Sequence, residues 1–355
     1  MKNVFSENNR GILSSIWMFI RKSVMPGRKI PAHLNADRLE FVILAAGKST
    51  RNYPQSKGLP HKSLAPFGSR KVIDHIMGQI IKAGGRHVTF VISDKSTQDA
   101  FEACFRREPS IEEKFARKGD MVALELLKST YVPDDMEIKY VYQAEPKGTG
   151  HATALAYESI RETGRNIVMI WPDDIFLADK YALFEADREP IYRRAVHKYI
   201  SEGCRGNLAI TNYVRDPSRW GVVSDGRYVE KPDTLVSHDA AKGFIIFDRA
   251  VCEELLKDKG RMEAGEKVEL HSGELTFIPA LNRVIGKDPR SMRIRVIRTE
   301  PTDIYFDCGT INGYEQALIY TLLSESRFSR DNLRFVKKVI HRAEKYVGMK
   351  RRKED

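Results

Sequence analysis

From Phe41 onward, short apolar runs alternate with stretches of helical period. "FVILAA" (41–46) reads as a buried strand, and "KVIDHIMGQIIKAGG" as a helix with Val72, Ile73, Ile76, Met77 and Ile80 on one side. "HVTFVIS" is a strand, a polar helical region follows, and "EIKYVYQA" is a strand again. "GHATALAYESIRETG" reads as a helix ending at Gly164, and "NIVMIW" as another buried strand. Beyond Asp179 strands dominate: "NLAITNYV", the hairpin-like "WGVVSDGRYVEKP" and "KGFIIFD". A helix, "ELTFIPALNRVIGK", precedes the strand "MRIRVIRT", and "IYFDCGTINGYEQALIYTLL" is a strand, a turn and a helix. Strands alternating with helices imply an α/β fold, a Rossmann-like, mostly parallel sheet covered on both faces. Right-handed crossovers gather the loops after the strands along one sheet edge, where ligands bind. The last helix, "DNLRFVKKVIHRAEKYVG", puts Leu333, Val336, Ile340, Ala343 and Val347 on one stripe opposite a basic face. That face suits docking on the body, dimerisation or an anionic surface, in that order.

Charge changes the picture only when it is divided. The net +11 looks like a nucleic-acid signal, but residues 1–38 carry +5 and residues 327–355 carry +7, leaving −1 for 39–326. The chain is therefore read as a basic N-terminal arm (1–38), a body (39–326) and a basic amphipathic C-terminal helix and tail (327–355). The arm segment "GILSSIWMFIRKSVMPGRK" has its charges after its apolar stretch, the wrong order for a secretory signal. It is expected to pack on a domain, with a membrane-surface or targeting role as the alternative. Four widely spaced cysteines without a CxxC pair argue against a disulfide framework or zinc site and suit a reducing, cytoplasmic setting. No specific nucleic-acid partner is expected of the body, and membrane contact would fall to the tails.

The chemistry concentrates in the loop after the first strand, "LAAGKSTRNYPQSKGLPHKSLAP" (44–66), which is cationic and carries no acidic residue. Small residues at Ala45, Ala46, Gly47, Ser49 and Thr50 let backbone N–H groups turn toward one anion. Arg51 adds a planar donor fork and Lys62 a mobile point charge. The loop is neither GxxxxGK[ST] nor GxGxxG. It resembles instead the G-x-G-T-R-x-x-P-x-T-x-x-x-P-K-x-L-x-P signature of sugar-1-phosphate nucleotidylyltransferases. Gly47, Thr50, Arg51, Pro54 and Pro60 match in place; Ser49 and Ser56 replace a glycine and a threonine. His61 is an apparent insertion that shifts Lys62, Leu64 and Pro66 by one.

Further motifs follow in the family's order. "QAEPKGTGHATA" (143–154) resembles the base-recognition loop of N-acetylglucosamine-1-phosphate uridyltransferases. There Gln143 would pair with a pyrimidine edge, Gly148 would let backbone approach the base, and Thr149 belongs to the same loop. "IVMIWPDDI" puts Asp173 where the family holds its divalent metal; Asp174 reads as a helix cap or a supporting partner. "WGVVSDGRYVEKP" resembles the family's YGVV…EKP, which implies Gly221 and Glu230 on the sugar and Lys231 on its phosphate. Gly243 in "AAKGFIIFD" would let a sugar lie against backbone. "IYFDCGTINGYEQA" resembles the DxGTxxGYxxA stretch of uridylyl- and thymidylyltransferases acting on glucose-1-phosphate, with Asp307 as second metal ligand.

The resemblance runs from Phe41 to about Leu323. It implies the nucleotide-diphospho-sugar transferase fold, with a nucleotide half (about 39–180) and a sugar half (about 181–326). It also implies Mg²⁺, NTP and sugar-1-phosphate as substrates, and a homo-oligomer. Arg51, Lys62, Asp173 and Lys231 would carry catalysis. UTP with glucose-1-phosphate is the expected pair. The alternatives are dTTP, N-acetylglucosamine-1-phosphate, or a non-catalytic regulatory paralogue that binds sugar nucleotides. A cytidylyltransferase for a non-sugar phosphate is disfavoured by the Glu230-Lys231-Pro232 and Asp307 motifs.

Overall fold

A computed structural model describes residues 35–48, 50–178, 189–271, 273–324 and 329–354. Expectations for residues 1–34 and for Ser49 lie outside the described residues. Strand β1 (Leu39–Ala45) leads into the cationic loop, which closes on the short strands β2 (Pro66–Phe67) and β3 (Arg70–Lys71). Helix α1 (Val72–Lys82) buries the five apolar residues of its predicted face. After β4 (His87–Ile92), the polar region resolves into α2 (Lys95–Phe105), α3 (Pro109–Lys118) and α4 (Met121–Lys128), before β5 (Glu137–Tyr142). Next come α5 (Thr149–Ile160), β6 (Asn166–Ile170) and β7 (Asp174–Ala178).

The second half brings α6 (Ile191–Ser201), β8 (Asn207–Tyr213), β9 (Gly221–Ser224), β10 (Arg227–Glu230) and β11 (Asp239–Phe247). It ends with α7 (Arg249–Glu263), α8 (Ile278–Lys287), β12 (Ile294–Arg298), β13 (Asp303–Asp307), α9 (Ile311–Ser324) and α10 (Ser329–Glu354). Asp225 and Gly226, both at positive φ, form the two-residue turn joining β9 to β10, as "SDGR" suggests. Helix α8 begins at Ile278 rather than at Glu274, with Pro279 in its first turn, where a missing N–H costs nothing.

Among the described residues nine strands form one mixed sheet. Its parallel core places β1 between β4 and β6, with β5 beyond β4. Strands β1, β4 and β6 are almost wholly buried, which explains their continuous apolar runs. From the second half, β11 joins antiparallel to β6, and β8 and β12 extend the sheet beyond it. The two sequence halves therefore share one sheet. Apart from it, β7 and β13 form an antiparallel ribbon.

The C-terminal helix does not follow the first expectation. The Asn332 amide bonds the Leu322 carbonyl of α9 at 2.8 Å. Of the expected stripe, Leu333, Ile340 and Ala343 are exposed and Val336 is half-buried, while the burial of Val347 lies outside what is described, so the described body leaves most of the stripe open. Among the described residues, no helix is long and apolar enough to cross a membrane.

Candidate active site

The parallel strands β1, β5 and β6 end at one sheet edge, delivering the loops after Ala45, Tyr142 and Ile170 to one cavity of about 660 Å³. That is ample for a nucleotide-sized ligand. Ala46, Gly47, Thr50, Arg51 and Lys62 line it from the first loop, and Gln143, Gly148 and Thr149 from the second. Asp173, Gly221, Glu230 and Asp307 line it as well. Ala45 is buried within β1 and is not part of the wall.

The acidic centre is assembled by the ribbon. Antiparallel pairing sets Asp307 opposite Asp174, and the Cys308 N–H donates to the Asp173 carbonyl at 2.8 Å. The Asn52 amide of the cationic loop donates to the Cys308 carbonyl at 2.9 Å, tying that loop to the same turn. Gly309 measures the convergence. A Cβ there would lie 2.1 Å from Asp173 Oδ2 and 2.9 Å from Asp307 Oδ1. The two carboxylate oxygens are thus no farther apart than those two distances together. The Gly309 N–H also donates to Asp307 Oδ1 at 2.9 Å.

Lys62 Nζ donates to Asp173 Oδ2, and the exposed Arg51 guanidinium stands 3.6 Å from the same oxygen. The extra residue before Lys62 is absorbed locally. His61 is buried; its Nδ1 accepts from the Ser63 N–H at 3.2 Å and caps a single 3₁₀ turn, Lys62–Leu64. Burial, then the Lys62 charge, pushes His61 down to about 3, so it stays a neutral acceptor. Burial alone would raise the Asp173 carboxyl, but Lys62, then Arg51, hold it below the usual carboxylate range.

Asp174 caps no helix. It opens β7, and its carboxylate accepts from the Gly243 N–H at 2.6 Å and the Tyr305 hydroxyl at 2.7 Å. Burial, then the neighbouring Asp173 charge, pushes it up to about 7. Gly243 has a different neighbour from the expected sugar. It is absent from the cavity wall, and a Cβ on it would sit 2.3 Å from Asp174 Cβ. Gly148, at φ +103°, likewise makes room for protein: a Cβ there would meet the Leu275 carbonyl oxygen at 2.5 Å. Gln143 lines the cavity, but its amide nitrogen already donates to the Gly148 carbonyl at 3.3 Å and to His151 Nδ1 at 2.9 Å. Lys231 stands outside the wall, exposed, with Nζ 3.7 Å from Glu230 Oε1. Its φ of +42° is unusual for lysine, a form of strain that gathers at functional sites.

Sequence reasoning missed three contributions. His271, Glu274, Thr276 and Phe277 form a wall of the cavity, held by Leu275 N–H to the Lys147 carbonyl at 2.9 Å and Gly150 N–H to the Leu275 carbonyl at 2.8 Å. Their sequence carries no period or motif that marks a wall. Trp220 also lines the cavity, and behind it lies Lys242, only 1% exposed. Lys242 Nζ sits 3.0 Å from the Trp220 ring centroid and 4.6 Å from that of Tyr305, with no hydrogen-bond partner among the described residues. Burial pushes it down to about 8, against the pull of Asp174 and Asp307. A lysine inside the apolar run "KGFIIFD" was the available signal.

Comparison with known proteins bears on the fold and the family. The family described as nucleotidyl transferase matches residues 40–281. The UTP–glucose-1-phosphate uridylyltransferase of Haemophilus ducreyi is 24% identical over 306 residues, covering 81% of this chain and 94% of that protein. The mannose-1-phosphate guanylyltransferase catalytic subunit beta of Drosophila pseudoobscura pseudoobscura is 24% identical over 247 residues, covering 66% of this chain and 56% of that protein. The solved structure of UTP-bound UGPase from Acinetobacter baumannii superposes with a TM-score of 0.65 at 18% identity, covering 84% of this chain and 98% of that one. On the extent of the family match, and with the motifs in their expected order, the chain belongs to the nucleotidyl transferase family, among its sugar-1-phosphate nucleotidylyltransferases.

Proposed function

We propose that this enzyme joins UTP to glucose-1-phosphate, giving UDP-glucose and pyrophosphate. The observation that carries the reading is the meeting of Asp173 and Asp307 beside Gly309, with Lys62 and Arg51 on the same carboxylate. UTP is favoured by the Gln143 loop and by the relative from Haemophilus ducreyi. Glucose-1-phosphate is favoured by the "VEKP" and "FDCGT" stretches. A second reading, a guanylyltransferase, draws on the relative from Drosophila pseudoobscura pseudoobscura. Against it, a cavity wall containing Gln143 suits a pyrimidine, whose edge an amide can meet with one donor and one acceptor.

The donor set fits Mg²⁺. Two carboxylates converge where Gly309 leaves room, and Mg²⁺ commonly takes one or two carboxylates together with substrate phosphates and water. Asp173 and Asp307 would hold it. When bound, the ion supplies charge neutralisation for the phosphates as they approach.

The chain's own residues do the rest. A phosphate monoester is already ionised near neutral pH, so the attacking oxygen requires no general base. The barrier is repulsion and alignment between two polyanions. Lys62 offers its ammonium beside the acidic centre, where it can move between Asp173 and an α-phosphate oxygen. Arg51, two-thirds exposed, is free to fold over the departing pyrophosphate. Lys231, flexible and exposed next to Glu230, draws in the sugar phosphate, while Gly221 and Glu230 face the sugar. Gln143 can offer its carbonyl oxygen to the base as it stands; offering its amide requires exchange with His151 or Gly148.

A pyrophosphate-release screen tests the reading, pairing UTP, dTTP, CTP, GTP and ATP with glucose-, N-acetylglucosamine- and mannose-1-phosphate. UTP with glucose-1-phosphate should give the highest kcat/KM, and Asp173→Asn and Asp307→Asn should each abolish it in a folded chain. GTP with mannose-1-phosphate leading would replace this proposal with the second reading. No release from any pair would leave a sugar-nucleotide-binding regulator.

A further inference from the structure

Helix α10 carries an apolar face that the rest of the described chain leaves open. Leu333, Phe335, Val339 and Ile340 expose 38%, 67%, 46% and 51% of their surface. At 100° per residue, Leu333, Val336, Val339, Ile340 and Ala343 fall in one sector. Arg334, Lys337, Lys338, His341 and Lys345 fall in the opposite one. Between residues 330 and 345 six basic side chains stand against two acidic ones, and Lys350, Arg351, Arg352 and Lys353 follow in sequence. The helix spans 26 residues, roughly 39 Å at the standard rise, long enough to lie along a surface well beyond its contact with α9.

Three occupants could cover such a face, and charge separates them. The described body is excluded by the exposure itself. A second copy would bring the same positive excess alongside, whereas paired helices ordinarily set opposite charges beside their apolar seam. An anionic bilayer satisfies both faces at once. Apolar side chains enter the headgroup–acyl boundary while lysines and arginines reach lipid phosphates. We propose that α10 is a membrane-surface helix, lying in the interface of a bilayer rich in anionic lipid. The enzyme would then make its activated sugar beside that surface without spanning it. The inference does not depend on which nucleotide and sugar are used.

The test is co-sedimentation of the full chain with vesicles of phosphatidylcholine alone or equimolar with phosphatidylserine. Binding should require phosphatidylserine and weaken steeply with salt. Each lysine near the surface contributes roughly a fivefold gain in partition, so Lys337→Gln/Lys338→Gln/Lys345→Gln should lower it about 100-fold. Leu333→Gln/Val339→Gln/Ile340→Gln should also abolish binding. Both variants should keep wild-type pyrophosphate release in lipid-free buffer, which shows them folded and separates this result from any failure of the proposed reaction. No binding to phosphatidylserine vesicles overturns the proposal, and so does binding that survives both variants. A wild-type dimer that the apolar variant turns into a monomer, without vesicle binding, assigns the face to a second copy instead.

Discussion

The most direct probe of the acidic centre is Gly309→Ala, a methyl group aimed between two carboxylates. The φ of Gly309 lies outside the left-handed region, so alanine costs no backbone strain there. Its Cβ would stand 2.1 Å from Asp173 Oδ2 and 2.9 Å from Asp307 Oδ1, whereas ordinary contact begins at 3.4 Å. The Asp173 oxygen must retreat by more than an ångström, away from its station beside Lys62. A displacement of that size at reacting groups costs on the order of 100-fold, about 2.7 kcal/mol of transition-state stabilisation. The fold has less at stake. Overpacking at one turn costs about 1 kcal/mol, lowering the Tm by roughly 2–4 °C in a domain this large.

The assay is steady-state pyrophosphate release with UTP and glucose-1-phosphate, alongside thermal unfolding of the same samples. The expected result is a fall in kcat/KM of about two orders of magnitude with a nearly unchanged melting curve. The Mg²⁺ concentration needed for half-maximal rate should rise in parallel. Gly260→Ala is the matched control: it lies within α7 with nothing near its Cβ position, and should stabilise the chain by roughly 0.5–1 kcal/mol without touching turnover. A folded Gly309→Ala enzyme within about twofold of wild type would refute the reasoning, because the oxygens would then not meet where the geometry puts them.

Lys62→Ala removes the cation that donates to a buried carboxylate, so turnover should fall roughly 100- to 1000-fold and stability by about 3 kcal/mol; unchanged kcat would remove Lys62 from the mechanism. Gly148→Ala sets a Cβ against the Leu275 carbonyl at positive φ and should cost roughly 2–4 kcal/mol in urea unfolding while raising KM for the nucleotide. Retained stability would mean that the wall around Leu275 does not pack on the α5 start. The Asp174 carboxyl, raised from 3.8 to about 7, favours its neutral form in the fold, so its contribution is complete below 3.8 and lost as pH rises through about 7. Asp174→Asn should flatten that fall in denaturant unfolding; an identical slope in the variant would show that another group titrates.

The sequence made legible what is local. Strands β1, β4 and β6 announce themselves because both faces are covered, and α1 because its five apolar residues share a side. The loop residues Arg51 and Lys62 were singled out by residue type and by the family resemblance, and both line the cavity. What stayed hidden depends on partners far along the chain. The ribbon that sets Asp307 opposite Asp174 joins segments about 130 residues apart, and nothing near either end specifies that register. For the same reason the sequence did not show that Gly148, on the cavity wall, also makes room for Leu275, or that Gly243 adjoins Asp174 away from that wall. A glycine advertises empty space, but only the fold says whether ligand or protein fills it. Here Leu275 and Asp174 do so.

Asp173 and Asp174 show most clearly why neighbours in sequence need not share a role. Asp173 stands in the turn before β7 and Asp174 opens that strand, so the two carboxyls meet different partners within one cavity. Asp173 lines the cavity, where Lys62 and Arg51 hold it in its ionised form. Asp174, which lines the same cavity, is held by the Gly243 amide and the Tyr305 hydroxyl, and burial pushes it toward the neutral form. One carboxyl thereby stays ionised beside Lys62 and Arg51, while the other clasps β11 to the ribbon. If both were ionised and unpaired, their repulsion would oppose the convergence that brings Asp307 to the site. The two carboxyls therefore divide the work: Asp174 ties β11 to the ribbon, and the ribbon's pairing brings Asp307 to Asp173 across Gly309.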